Sequence, residues 1–393
     1  MKKIIPVIII ALLMLCMVSC GGSKSGEEPK NIEIAMIADC SDIEDGSFTQ
    51  ETWTCIENFA KTEGITAGCI QTEEVVTAEE AAKQVAKEDK ENKDGDKAKA
   101  EDKDKAEEKP APATKEESYM RAIEQAVEKK AKLIVMGGSN FETTVYAAQA
   151  AYPEVYFLLI DGVPHDAVLN YANGANTISI LFAEEEAGYL AGYAAVKDGY
   201  TKLGFMGGQE LPSVKRYGYG FVQGVAAAAA ELEQKVELSY VYTGTFEPSE
   251  DVQKQAAEWY KGGTEVIFAC GGNMGTSVMK AAENKGGKVI GVDVDQSYLS
   301  PSVITSAKKE IDTAVLEMLE NYKEEKFVGG ISFNYTAKNG GVSLEMDNGQ
   351  FKTFKEDDYK KALRQLKNGK IQLKKDTGVS AVSELTGEWV KIK

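Results

Sequence analysis

The sequence predicts an α/β protein with two lobes, each a mainly parallel β-sheet flanked by helices. Short apolar runs alternate with helical patterns along most of the chain, which is typical of parallel sheets built from right-handed crossover units. The chain has 393 residues, which is enough for two domains. Because 43% of these residues are hydrophobic, a sizeable core can be buried.

The first half of the chain carries the elements predicted for one lobe. Apolar runs predict strands, and the amphipathic stretches between them predict helices. The predicted strands are 34–38, 133–136 and 155–160, and the predicted helices are 51–63, 119–129 and 144–151.

The same alternation resumes after residue 177 and predicts a second, similar sheet. Its predicted strands are 178–181, 202–206, 238–242, 266–269 and 289–292, and its predicted helices are 184–197, 217–232, 252–260 and 277–283. Ligands of open α/β sheets bind in the loops that follow the carboxyl ends of the strands. Two such sheets that face each other would therefore form a ligand-binding cleft.

The N-terminal residues 1–19 predict a signal peptide. Lys2 and Lys3 precede an apolar run, 4–18, that is short for a membrane span, since about 20 apolar residues are needed. Ser19 then precedes Cys20, and this site resembles a bacterial lipobox, in which the cysteine is acylated. We expect Cys20 to anchor the chain in the lipid bilayer, at the extracytoplasmic face of a bacterial membrane, with residues 20–31 as a flexible tether. The alternative is an ordinary signal peptide whose cleavage releases the protein without a lipid anchor.

A charged insertion interrupts the α/β pattern over about residues 83–117. It is dense in Lys, Glu and Asp and contains Pro110 and Pro112. Such a segment buries too little apolar surface to offset its ordering entropy, so we expect a disordered surface insertion or a fraying helix. A metal-binding or protein-docking role for the insertion is the alternative.

The charge and the cysteine usage exclude several classes of function. A formal net charge of -17 argues against a nucleic-acid polymer as partner. One histidine, His165, which we expect to be an exposed turn residue, leaves little basis for a zinc site or a nucleophilic triad. We therefore expect no enzyme activity, no cofactor and no metal. Four cysteines follow Cys20, namely Cys40, Cys55, Cys69 and Cys270. A disulfide among the first three and buried free thiols are both open.

Five segments of the chain match, in order, the motifs of a known family. They are ADCSDIEDGSFTQETW (38–53), YPEVYFLLIDG (152–162), EEEAGYLAGYAA (184–195), YTGTFEPSEDVQKQAAEWYKGGTEVIFACGG (242–272), and GVDVDQ (291–296) followed by ITSAKKEIDTAV (304–315). These segments resemble the basic membrane protein family of bacterial lipoproteins, several of which are receptors for purine nucleosides. The resemblance implies a type I periplasmic-binding-protein-like fold and a role as the substrate-binding protein of an ABC importer.

The resemblance also implies lobes that are discontinuous in sequence and close around a ligand. We expect lobe 1 over 32–165, lobe 2 over 166–292, a return to lobe 1 over 293–326, and a C-terminal segment, 327–393, mainly in lobe 2. The three crossovers would lie near 161–170, 292–296 and 324–330. The expected partners are a nucleoside and an ABC permease, and the protein is expected to be a monomer.

The same resemblance implies a set of ligand-binding residues. Phe48 and Phe246, one from each lobe, would clamp the base, and Asp39 would accept hydrogen bonds from it. Asp293 and Lys309 would hold the ribose, and glycines that let the ligand approach closely stand at Gly271 and Gly272.

This sequence departs from the family pattern at two places. Thr49 stands where many relatives have Asn. In the loop 137–144, Asn140, Glu142 or Thr143 takes the place of the family's second base-reading acid. The base preference therefore stays open.

Each site residue also has a purely structural interpretation. A strand-end aromatic is often a hydrophobic plug, Asp293 with Asp295 would form a metal pair or a turn, and Lys309 would be a solvated helix residue.

Three further functions of the protein also stay open. They are a receptor for a sugar or another metabolite, an exported nucleoside-processing enzyme that uses the acidic cluster Asp39, Asp42, Glu44 and Asp45, and a sensor or adhesin.

Overall fold

The structure is a computed structural model that describes residues 31–39, 43–73, 75 and 114–393. The predicted signal peptide, the predicted lipidation site Cys20 and most of the charged insertion lie outside the described residues, as does Cys40. Cys55, Cys69 and Cys270 are free thiols.

Thirteen strands and nine α-helices lie within the described residues. The strands are β1 Ile34–Ala38, β2 Ala67–Gln71, β3 Leu133–Gly137, β4 Tyr156–Ile160, β5 Thr177–Phe182, β6 Lys202–Gly207, β7 Val236–Tyr242, β8 Val266–Cys270, β9 Lys288–Asp293, β10 Val303–Lys309, β11 Ile331–Tyr335, β12 Val342–Leu344 and β13 Val390–Ile392. The helices are α1 Phe48–Glu63, α2 Lys115–Glu128, α3 Glu142–Ala151, α4 Glu184–Lys197, α5 Pro212–Glu231, α6 Glu250–Lys261, α7 Met274–Lys285, α8 Ile311–Lys323 and α9 Glu356–Lys367.

Lobe 1 is built on a six-stranded sheet with the order β11-β5-β4-β3-β1-β2. Every pair of neighbouring strands in it is parallel. All five residues of β1 are buried. Burial on both faces is typical of a parallel sheet covered by helices on each side, and it explains the continuous apolar runs.

Lobe 2 is built on a seven-stranded sheet with the order β12-β10-β9-β8-β6-β7-β13. Only β12, which pairs with β10, is antiparallel to its neighbour within this sheet. The predicted fold class, two α/β lobes with mainly parallel sheets, is thus confirmed.

Two helices of lobe 2, α4 and α5, approach each other closely through glycines. A Cβ atom at Gly188 would lie 2.1 Å from the carbonyl oxygen of Tyr217, and one at Gly220 would lie 2.0 Å from that of Glu185. Real Cβ contacts are never so short, so only glycine permits this spacing. The contact sets the N-terminal ends of both helices side by side beneath the interlobe cleft.

The chain crosses between the lobes at different positions from those predicted. Strand β5 was expected in lobe 2, but it pairs with β4 in the sheet of lobe 1. Strand β10 was expected in the return to lobe 1, but it pairs with β9 in lobe 2. The crossovers therefore follow β5, β10 and β11, since β11 is the last strand in lobe 1. The loop after β4 runs back to the start of a neighbouring parallel strand and does not leave its lobe.

Candidate ligand-binding cleft

The interlobe cleft opens at the carboxyl ends of the strands and encloses about 1110 Å³, its mouth included. Nine of the ten predicted ligand-binding residues line it, namely Asp39, Phe48, Thr49, Asn140, Phe246, Gly271, Gly272, Asp293 and Lys309.

The two predicted aromatic residues each lie against a glycine at the end of a strand. Phe48 is the first residue of α1, whose N-cap is the Ser47 hydroxyl that accepts from the Thr49 N–H at 3.2 Å. A Cβ atom at Gly137 would lie 2.3 Å from Phe48 Cε1, and one at Gly208 would lie 2.5 Å from Phe246 Cδ1. Both lobes thus hold one ring close to the backbone at the cleft wall.

Asp39, directly after β1, is fixed by three side chains. The Thr72 hydroxyl donates to Oδ1 at 3.2 Å, and the Tyr119 hydroxyl donates to Oδ2. The Lys115 ammonium lies 3.4 Å from the same Oδ2. The carboxylate therefore lines the cleft while its back is hydrogen-bonded to protein.

Lys309, the last residue of β10, is buried and surrounded by carboxylates. Its Nζ binds Asp161 and lies 3.3 Å from Glu184 Oε1 and 3.4 Å from Asp293 Oδ1. Its side chain is 2% exposed, so the alternative of a solvated helix residue is wrong.

Asp161 and Asp293 occupy equivalent positions in the two lobes. Asp161 follows β4 and Asp293 ends β9, and both have left-handed backbones, with φ of 61° and 65°. This conformation is uncommon for residues other than glycine, although Asp tolerates it better than most. The Tyr217 hydroxyl donates to Asp293 Oδ1 at 3.0 Å. Asp161 Oδ1 is buried and has no hydrogen-bond partner among the described residues.

A second ion pair lies beneath Lys309. Arg216 Nε donates to Glu184 Oε2 at 2.6 Å, and Arg216 Nη1 lies 3.6 Å from Asp376 Oδ2. We call Asp161, Glu184, Arg216, Asp293 and Lys309 the Lys309 cluster. In it, three carboxylates face two cations, and both cations are paired.

Burial and the charges of neighbouring residues shift the pKa values of this cluster in opposite directions. Burial raises the pKa of Asp161 to about 6, although Lys309 counteracts it. Burial acts to lower the pKa of Lys309, but Asp161, Asp293 and Glu184 outweigh it, so the net shift is upward. Burial acts to raise the pKa of Glu184, but Arg216 and Lys309 hold it below its ordinary value. Lys309 and Glu184 therefore stay charged at neutral pH, whereas the pKa of Asp161 is raised towards it.

Glu142 does not line the cleft, contrary to the prediction. Its Oε1 accepts from the Val163 N–H at 2.8 Å, and its Oε2 lies 3.4 Å from His165 Nε2. Because α3 begins at Glu142, this side chain points to the loop after β4, while Asn140 in the preceding turn lines the cleft. His165 is mostly buried by these contacts and is not the exposed turn residue that was expected.

The alternative of a metal pair at Asp293 and Asp295 has no support in the geometry. Asp295 accepts from the Ser297 N–H at 2.9 Å and from Asn348 Nδ2 at 2.8 Å, so it stabilises a turn. No group of three or more His, Cys, Asp or Glu residues in the described parts of the chain could hold a metal ion.

Sequence reasoning missed three residues of the Lys309 cluster. Asp161 follows a buried strand, and that position could have identified it, but the segment itself predicts only a strand that ends at a crossover. Glu184 stands at the start of the matched segment 184–195 without a predicted role, and Arg216 carried no signal, because the two residues meet only through a helix contact that depends on Gly188 and Gly220.

Comparisons with known proteins agree with this architecture. A family model described as "Bmp: ABC transporter substrate-binding protein PnrA-like" matches residues 32–377. The "ABC transporter nucleoside-binding protein BmpA" of Lactococcus lactis subsp. cremoris is 27% identical over 371 residues, which cover 88% of this chain and 92% of the relative. "Basic membrane protein D" of Borreliella burgdorferi is 31% identical over 267 residues, which cover 66% of this chain and 76% of the relative.

A solved structure supports the fold independently. An ABC transporter system solute-binding protein from Aeropyrum pernix K1 superposes with a TM-score of 0.61 at 21% identity, covering 90% of each chain. No helix within the described residues is both long and apolar enough to cross a membrane.

Proposed function

The chain belongs to the Bmp family of PnrA-like ABC transporter substrate-binding proteins, and from this membership we propose that its interlobe cleft binds a purine nucleoside. Members of this family are extracytoplasmic binding proteins and not enzymes. The ligand would be captured unchanged and released to a membrane permease.

The observation that carries the proposal is the division of the cleft into an aromatic part and a hydroxyl-accepting part. Phe48 and Phe246 come from opposite lobes, so closure would bring a ring to each face of a flat base. Stacking of a base on an aromatic side chain contributes about 1–3 kcal/mol. The name of the Lactococcus lactis relative, a nucleoside-binding protein, supports the same ligand class.

The Lys309 cluster suits an uncharged sugar better than a phosphate. Asp293 and Asp161 offer carboxylate oxygens to hydroxyl donors, and the buried Asp161 Oδ1 has no donor within the described residues. Lys309 and Arg216 are already paired with carboxylates, so a phosphate would meet an excess of negative charge. We infer that nucleosides bind and nucleotides are rejected.

Closure of the two lobes would be stabilised by ligand contacts from both sides. Ligand binding shifts such an equilibrium only through contacts that differ between the open and closed forms. A purine held between Phe48 of lobe 1 and Phe246 of lobe 2 would make both contacts only in the closed form. We propose that this closed monomer docks on an ABC permease, while acylated Cys20 holds it at the extracytoplasmic membrane face.

Thermal denaturation of the protein without residues 1–20 tests the proposal. Adenosine, guanosine and inosine would each be compared with the free bases, ribose and the matching 5′-monophosphates, and hits would be followed by calorimetry. A ligand at 100 times its Kd should add about 2.7 kcal/mol of stability. Stabilisation by nucleosides, with unchanged ligand recovered, supports the proposal. Stabilisation by ribose or another sugar alone would replace nucleosides by sugars as the ligand class, and recovery of a processed product would indicate an enzyme.

A further inference from the structure

The Asp39 carboxylate is held from behind by residues of two other elements. Thr72 directly follows β2, and its hydroxyl donates to Oδ1 at 3.2 Å. Lys115 and Tyr119 lie on the first turns of α2, and both bind Oδ2. None of these three residues lines the cleft that Asp39 faces.

Tyr119 is the most firmly fixed of the three. Its side chain is almost fully buried, and its ring lies 4.5 Å, between centroids, from that of Phe141, which itself lines the cleft. Burial, with the hydrogen bond to Asp39, raises the pKa of Tyr119 above its ordinary value. The phenol therefore stays protonated and acts as a donor to Asp39.

The number of donors behind Asp39 limits what the cleft side can accept. An ionised carboxylate offers about four lone-pair directions and no donor. Thr72, Lys115 and Tyr119 occupy three of them, so about one acceptor direction is left for a ligand. A ligand group in contact with Asp39 must therefore bring a hydrogen-bond donor.

We propose that Tyr119, assisted by Thr72 and Lys115, is a positioning residue that orients Asp39 to accept one N–H donor from the edge of the base. This inference rests on the proposed function, since it presumes a nucleoside in the cleft. It makes bases with an N–H group at this edge the preferred class. Bases whose corresponding nitrogen is fully substituted are rejected, because the remaining acceptor direction of Asp39 would then face the base without a donor.

The test combines a single hydroxyl deletion with ligands that lack the N–H. Calorimetry would measure the binding of adenosine and inosine, and of N6,N6-dimethyladenosine and 1-methylinosine, to the wild type and to Tyr119→Phe. For the parent nucleoside that binds more tightly, the variant should lose about tenfold in affinity, because Asp39 would no longer be held in the direction of the N–H donor. Its methylated analogue should bind weakly to the wild type and lose nothing further in the variant.

Tyr193→Phe is the matched control. Tyr193 is also a buried tyrosine, its hydroxyl donates to the carboxylate of Glu231 at 2.8 Å, and neither residue lines the cleft. This variant should bind all four ligands like the wild type. If Tyr119→Phe does not fold, Thr72→Val removes the donor to Oδ1 and should give the same pattern with a smaller loss.

The outcomes separate this inference from the proposed function. If the wild type binds no nucleoside, the proposed function fails and the inference falls with it. If the wild type binds nucleosides but Tyr119→Phe binds them equally well, only the inference is overturned. An equal loss for parent and methylated ligands also overturns it, because Tyr119 would then act on the fold and not on the contact between Asp39 and the N–H.

Discussion

Asp161 and Lys309 form an ion pair that joins the two lobes at the floor of the cleft. Asp161 follows the lobe 1 strand β4, and Lys309 ends the lobe 2 strand β10. Both side chains are almost fully buried, so the pair is shielded from solvent screening. A change in the charge of either residue must therefore disturb the other residue. A change in the relative position of the lobes must likewise disturb the ion pair.

Removal of the Lys309 charge should destabilise the protein strongly. In Lys309→Met, Asp161, Glu184 and Asp293 would lose their shared cation, and breaking a buried pair in this way costs about 3–5 kcal/mol. Lys308→Met is the matched control, because the adjacent Lys308 is partly exposed and pairs with Glu345 at 3.3 Å. That change should cost less than the loss of Lys309, because Lys308 is the more exposed lysine and Glu345 keeps the hydrogen bond from the Asn348 N–H at 3.0 Å. Urea unfolding of both variants measures the difference, and equal costs would contradict a special role of the cluster.

The stability of the protein should depend on pH through Asp161. Its pKa is about 6 in the folded state against 3.8 in the reference state, so the folded state binds the extra proton between these values. The stability that this extra proton contributes is fully present below pH 3.8 and is lost as the pH rises through 6. The free energy of unfolding changes through it by at most about 1.4 kcal/mol per pH unit. The variant Asp161→Asn leaves the charged groups that face this position unchanged. These groups are Lys309, Glu184, Asp293 and Arg216. Relative to this variant, the wild type should therefore gain stability as the pH falls from 7 to 5, and parallel unfolding curves would refute the assignment.

The loss of an aromatic face should weaken binding without loss of the fold. Phe48→Ala should raise the Kd for nucleosides by the equivalent of about 1–3 kcal/mol and leave the binding of any free sugar unchanged. Tyr171→Ala removes an exposed aromatic residue that does not line the cleft and serves as the control. Calorimetry gives both values, and wild-type affinity in Phe48→Ala would remove this ring from the site.

The close contact between α4 and α5 should not tolerate a methyl group. Gly220→Ala would place a Cβ atom 2.0 Å from the Glu185 carbonyl oxygen and push the helices apart, at a cost of about 1–3 kcal/mol. Gly275→Ala on α7 is the control, because its Cβ atom would meet no atom nearer than 3.7 Å. Replacement of a helical glycine by alanine should there stabilise the protein by about 0.5–1 kcal/mol. Thermal unfolding should therefore shift in opposite directions for the two variants.

The sequence predicted the elements better than it predicted the sheets to which they belong. An apolar run identifies β5 as a buried strand, whereas residues 303–309, which form β10, were not predicted as a strand. Two parallel sheets with the same composition on both faces also give no local signal of the sheet to which a strand belongs. Both strands were therefore placed in the wrong lobe. Their true partners, β4 and β9, become evident only from the hydrogen-bond register.

The cleft residues that belong to recognisable motifs were predicted. Those that only the packing of helices and strands brings together were missed. Phe48, Phe246 and Lys309 stand in recognisable segments, and all three line the cleft. The direction of the Glu142 side chain depended on the residue at which α3 begins, and this is the least certain part of a helix prediction. Of the three carboxylates around Lys309, Asp293 was predicted from its motif, whereas Asp161 and Glu184 converge from other elements and no spacing in the sequence reveals them.

The late position of β11 in the chain constrains how the protein is synthesised. The six-stranded sheet gains its last strand only when residues 331–335 are available, and until then β5 has an unpaired edge. Helix α8, which packs against α1, also arrives after most of lobe 2. A nascent chain therefore cannot complete its first lobe before it has made most of its second. Fragments that end before residue 331 should aggregate through β5, and neither lobe can be produced as one uninterrupted piece of the sequence.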